Sequence, residues 1–118
     1  MPIQTEPRSG ILFGWLEEEG GWADPMNDNL TRIGMFGFHL SVLTRTLDAP
    51  PVSPVVGDSY IVATGGSLDW TGLDDQVVVW TGSEWVSSEP RTGWLAYIED
   101  EEVLTVYKAS GWSTGIAM

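Results

Sequence analysis

The 118-residue chain has no cysteine, one histidine, five basic residues and no long apolar run. Without cysteine it has neither a disulfide framework nor a thiolate metal site. The single histidine, His39, has no partners in the sequence that would mark a nucleophile and its base, and its expected place is structural, between a helix and the first strand. Arg8, Arg32, Arg45, Arg91 and Lys108 stand apart in a chain of net charge −12, whereas a phosphate-backbone site needs clustered cations. Nucleic acid is therefore not an expected partner. No segment approaches the ~20 continuous apolar residues of a membrane-spanning helix, and no basic region precedes an apolar run in the manner of a signal peptide. Membrane insertion and export are not expected, and the chain is expected to be made in the cytoplasm. The acidic runs at 17–19 and 99–102 lack the spacing of a calcium loop and read as solvated turns. Gly65-Gly66-Ser67 has no following lysine and opens no helix, so it is not a phosphate loop. No catalytic residue, metal ligand or cofactor is expected, and the chain does not read as an enzyme.

Aromatic and branched apolar residues are plentiful. Seven tryptophans and 42% apolar residues against 19% charged exceed what a small solvated monomer needs, so some of that surface is expected to face another chain. The stretch 76–112 contains one phrase twice: Val78-Val79-Trp80 followed five residues on by Trp85, and Thr105-Val106-Tyr107 followed five residues on by Trp112. Each reads as a hairpin whose short turn uses glycine. A further strand is expected within 93–98, with the carboxylates of 99–102 as the turn into 103–108, which together make a meander. The pleat sets Trp94, Ala96 and Ile98 against Leu95 and Tyr97, so both faces are apolar. Either the sheet closes into a small barrel covered by the N-terminal elements, or its second face packs on a partner. Trp70, Trp85 and Trp112 sit at or beside loops. They read either as core and interface residues or as flat indoles for stacking on a glycan.

Towards the N-terminus, residues 1–10 read as an arm, followed by the apolar run Ile11, Leu12, Phe13, Gly14, Trp15 and Leu16. That run reads as an edge strand on its own domain or as a strand docked into a neighbour. Asp24-Pro25 is a helix start, and Met26, Leu30 and Ile33 form one apolar stripe with Gly34 as a C-cap. Such a short helix needs packing, either on its own β domain or in a three-fold bundle of copies. The segment 41–47 alternates as a strand, with a helix through Leu40, Leu43 and Leu47 as the rival. Residues 48–54 form a proline-rich crossing outside any sheet. The expected fold is mainly β: a small antiparallel meander barrel or sandwich over 41–118, preceded by a 1–40 segment with a short α-helix that attaches or trimerises.

Several phrases in order carry a resemblance: Leu47-Asp48-Ala49-Pro50-Pro51, Ser53-Pro54, Gly57-Asp58, Tyr60-Ile61-Val62, Trp70 with Gly72, Val79-Trp80, Trp85, Pro90-Arg91, Gly93-Trp94, and Tyr107 with Trp112. Over roughly 40–113 the chain resembles small domains of tail-fibre, baseplate and related structural proteins of tailed bacteriophages and gene-transfer agents. Trp22, Asn27, Asn29 and Leu30 resemble a phrase found where phage fibres begin. The resemblance implies a virion structural protein, homotrimeric, joined to other phage structural proteins, with capsid decoration and attachment to a host glycan as the alternatives. The interface residues expected are Ile11, Leu12, Phe13, Trp15, Trp22, Met26, Leu30 and Ile33.

Overall fold

The computed structural model describes residues 4, 5, 7, 12, 13, 21, 23–37 and 40–118. The chain forms two compact units, Met1–His39 and Leu40–Met118. Among the described residues strand exceeds helix, so the chain is mainly β with one short α-helix ahead of the sheets.

In the first unit, β1 (Gln4–Thr5) and β2 (Leu12–Phe13) pair antiparallel, Gln4 opposite Phe13 and Thr5 opposite Leu12. Helix α1 runs over Ala23–Arg32. Pro25 has no N–H to leave unpaired in the first turn, and Asp24 and Arg32 lie at the ends of the helix dipole that favour their charges. The helix does not stop at Gly34, as the sequence suggested. It widens into a π-helical turn over Ile33–Gly37, where the Arg32 guanidinium lies 5.9 Å from the Phe36 ring centre. The apolar stripe is also redrawn. Leu30 is 59% exposed, while Asn29 is the buried residue of the helix and Met26 and Ile33 are half-buried. His39 and the candidate interface residues Ile11, Trp15 and Trp22 lie outside the described residues.

The second unit is built from β3 (Ser41–Val42), β4 (Ser59–Ile61), β5 (Val77–Trp80), β6 (Trp85–Ser88), β7 (Leu95–Ile98), β8 (Val103–Lys108), β9 (Gly111–Trp112) and β10 (Ile116–Ala117). Strands β4, β5 and β6 form one antiparallel sheet. The second sheet has the order β10-β8-β7-β3, with β9 also on β8. Both expected hairpins are present, with Trp80 opposite Trp85 and Tyr107 opposite Trp112, and the 99–102 turn joins β7 to β8. Two features depart from an antiparallel barrel. Strand β3 pairs parallel with β7, and the sheets do not close. The expected strand over 41–47 is regular only at Ser41–Val42. Beyond it the chain bonds irregularly to β4 and the segment after it, Leu43 N–H to the Ser59 carbonyl at 2.9 Å and Ala63 N–H to the Leu47 carbonyl at 2.9 Å. These bonds exclude the rival helix there.

The core gathers Val42, Ile61, Val77, Val79, Ala96 and Ile98 with a cluster of Tyr60, Val62, Trp70 and Val78, against which Leu43, Leu47, Leu73 and Trp85 pack. Arg45 ties distant segments together. Its guanidinium bonds both carboxylate oxygens of Glu101 at 2.9 Å and the carbonyls of Ser113 and Thr114 at 2.7 and 2.9 Å. This fork fixes the bend that carries the chain from β9 to β10 along the same edge of β8, a geometry that a lysine could not reproduce. No helix among the described residues is long and apolar enough to cross a membrane.

Candidate functional site

The register of the mixed sheet separates two faces, because residues directly opposite one another across neighbouring strands share a side. Val42 lies opposite Ile98, and Ala96 opposite Thr105, and all four are buried. On the other side Leu95 lies opposite Val106, Tyr97 opposite Leu104, and Leu104 opposite Ile116. This second face is equally apolar, yet Leu95 is 57% and Ile116 is 71% exposed. Lys108 continues the same alternation at the Leu95 end, and Glu99 at the opposite end, where its carboxylate accepts the Ser41 hydroxyl at 2.9 Å. The turn holding Arg91 also sits at the Leu95 end, through Gly93 N–H to the Tyr107 carbonyl and Trp94 N–H to the Arg91 carbonyl. Arg91 and Lys108 are exposed and form no ion pair within the described residues.

A second apolar patch stands on the proline-rich crossing. Val52 is fully exposed, and Val55 and Val56 are each 68% exposed. Pro50, Pro51 and Pro54 fix their own φ angles. The far end of the loop is held by Asp58, whose carboxylate accepts the Val55 N–H at 2.9 Å while its own N–H donates to the Val55 carbonyl at 2.9 Å. Gly57 N–H donates to the Trp80 carbonyl at 2.8 Å, which fastens the loop to β5. The valines are thus presented by a stiff element rather than left on a slack one.

The tryptophans singled out for sugar stacking do not form one platform. Trp70 is wholly buried, with its ring centre 5.6 Å from Tyr60 and 5.2 Å from Trp85, so it has no face to offer a sugar. Trp85 is half-buried between Tyr60, Trp70 and Trp80. Trp112 packs edge-on to Tyr107 and donates its indole N–H to the Asp75 carbonyl at 2.8 Å. Trp70 is drawn inside by the fold of the 64–75 loop, where a short 3-10 turn at Leu68–Trp70 turns the indole inward. Burial lifts the Tyr60 hydroxyl above its ordinary 10.0, and the nearby Asp58 charge adds to the effect.

The 64–75 loop is closed by Asp74, whose carboxylate accepts the N–H groups of Gly65 and Gly66 at 3.0 and 2.8 Å. These two bonds hold Asp74 below its ordinary 3.8. A carboxylate with a lowered folded-state value stabilises the fold above its unfolded-state value and loses that contribution as pH falls through the lowered one. Asp74→Asn keeps one acceptor oxygen but not two. It is expected to lower the thermal midpoint at neutral pH, and the gap to the unsubstituted protein should shrink well below pH 3.8. An unchanged gap would show that the carboxylate does not hold the loop.

A family model described as a protein of unknown function, DUF2793, matches residues 26–113. The chain belongs to the DUF2793 family. No curated protein and no solved structure matches it. The DUF2793 match takes in most of α1, the proline-rich loop, the aromatic cluster and strands β3 to β9, and it stops short of β10 and its Ile116. Among the described residues of this DUF2793 chain, no group of three or more histidine, aspartate or glutamate side chains is placed to hold a metal ion. The Leu95 and Tyr97 face was visible in the sequence as strand alternation. The share contributed by Leu104, Val106 and Ile116 needed the register, and the exposure of Val52, Val55 and Val56 needed the loop's path.

Of the candidate interface residues in the first unit, Leu12 has a defined role. Its N–H donates to Asn29 Oδ1 at 2.7 Å, and its carbonyl accepts from Asn29 Nδ2 at 2.8 Å. The Asn29 carboxamide thus pairs with β2 as a neighbouring strand's backbone would, holding a two-residue strand on a helix.

Proposed function

We propose that this DUF2793 protein is a structural component of a tailed-phage or related virion, a homotrimer that joins a fibre, baseplate or adaptor position to the next component. The observation that carries the reading is the open apolar face of the mixed sheet. A small domain rarely leaves a contiguous patch of this kind uncovered unless another chain covers it. The resemblance over 40–113 to fibre and baseplate domains supplies the virion context, and three-fold symmetry follows by analogy with such appendages. In this reading the first unit serves attachment to a neighbouring virion protein, with Leu12, Phe13, Met26, Leu30 and Ile33 among its contacts.

Light scattering on the purified full chain at micromolar concentration should give the mass of a trimer of 12.9 kDa copies. Gold-labelled antibody on intact particles should decorate one appendage or vertex position. A stable monomer, or particles without label, would overturn the reading.

A further inference from the structure

Building on the trimeric reading, we infer that the second unit carries both halves of a head-to-tail contact. The Val52, Val55 and Val56 loop of one copy seats on the open face formed by Leu95, Tyr97, Leu104 and Ile116 of the next. Both patches are apolar: Val52, Val55 and Val56 are exposed on the loop, and Leu95 and Ile116 are exposed on the face, with Tyr97 and Leu104 half-buried between them. The loop is fastened to β5 in one sheet, whereas the face belongs to β7, β8 and β10 of the other, and a copy does not cover its own face with its own loop. A contact between unlike patches repeats from copy to copy and closes into a ring when the rotation allows, which is the geometry a cyclic trimer needs.

Charge favours the same partner. Asp48 and Asp58 flank the loop, while Arg91 and Lys108 lie at the Leu95 end of the face. Copies of net charge −12 repel in most approaches, so the one that brings acidic loop flanks to this basic end is selected. The loop is also stiff before contact, through its prolines and the Asp58 bonds, so little ordering cost is added on docking. A face-to-face pairing of two copies would cover Leu95 and Ile116 but leave all three valines in water.

Mixing two full-length variants tests this. Val55→Asp with Val56→Asp removes the loop's apolar surface, and Leu95→Asp spoils the face. Each variant alone should fall from trimer to monomer in light scattering, with far-ultraviolet circular dichroism unchanged. Mixed at equal concentration they should form a one-to-one heterodimer and stop there, because one variant retains a working loop and the other a working face. If either variant misfolds, Val52→Asp replaces the first and Ile116→Asp the second, both at more exposed positions. A loop variant that stays trimeric, or a mixture that stays monomeric, overturns the inference and leaves the trimeric reading standing. A loop variant that still associates while Leu95→Asp does not would indicate face-to-face pairing. An unsubstituted protein that is itself a monomer or dimer overturns both.

Discussion

Trp70→Ala is expected to destabilise the second unit by about 3–5 kcal/mol, the usual cost of emptying a large aromatic site in a core. Whole domains of this size are held by only about 5–15 kcal/mol. The indole is wholly buried, its neighbours Tyr60 and Trp85 are themselves large rings, and Val62 and Val78 complete the cluster, so the cavity has few small groups able to move in. Urea unfolding followed by circular dichroism would measure the loss. A cost below about 1 kcal/mol would show that the cluster is not the centre of the unit. Trp70→Phe should cost clearly less than the alanine variant. It retains most of the ring, and it removes an indole N–H that has no hydrogen-bond partner among the described residues, a group whose burial is itself unfavourable.

Asn29→Ala should release β2 from the helix. Both backbone groups of Leu12 lose their partner at once, and at roughly 1 kcal/mol per bond the local opening free energy falls by about 2 kcal/mol. Amide exchange at Leu12 is then expected to quicken by roughly tenfold to a hundredfold, with amides of β4, β5 and β6 unaffected. Asn29→Asp separates the two bonds. It can still accept from the Leu12 N–H but cannot donate to the Leu12 carbonyl, so at neutral pH it should behave more like alanine than like asparagine. Unchanged exchange at Leu12 in both variants would show that β2 is held by something other than this carboxamide.

Much of the β architecture was legible because alternation and turn chemistry are local. The repeated Trp80 to Trp85 and Tyr107 to Trp112 spacing marked both hairpins, and the carboxylates at 99–102 marked the turn between β7 and β8. What local pattern could not supply was pairing between distant segments. The parallel partnership of β3 with β7 rests on Ser41 meeting Tyr97, and no residue type near either announces it. The spacing of Met26, Leu30 and Ile33 marks an apolar stripe but carries no sign that the helix turns Asn29 inward. Asn29 is buried, since its carboxamide has a strand to bind. The glycines and serine around Trp70 mark a loop, but loop position says nothing of direction, and the bonds from Gly65 and Gly66 to Asp74 fix how that loop closes. The open face was half-read: apolar residues on both sides of β7 were plain, while which side stays uncovered depended on the register.

The parallel pairing of β3 also fixes a sequence of events during synthesis. The leading strand of the second unit has no neighbour in its sheet until Tyr97 and Ile98 have been made, and β8 lacks its outer edge until the ribosome has reached Ile116. The apolar second face, which needs Leu95, Leu104 and Ile116 side by side, is therefore complete only after all three strands that carry them have been made.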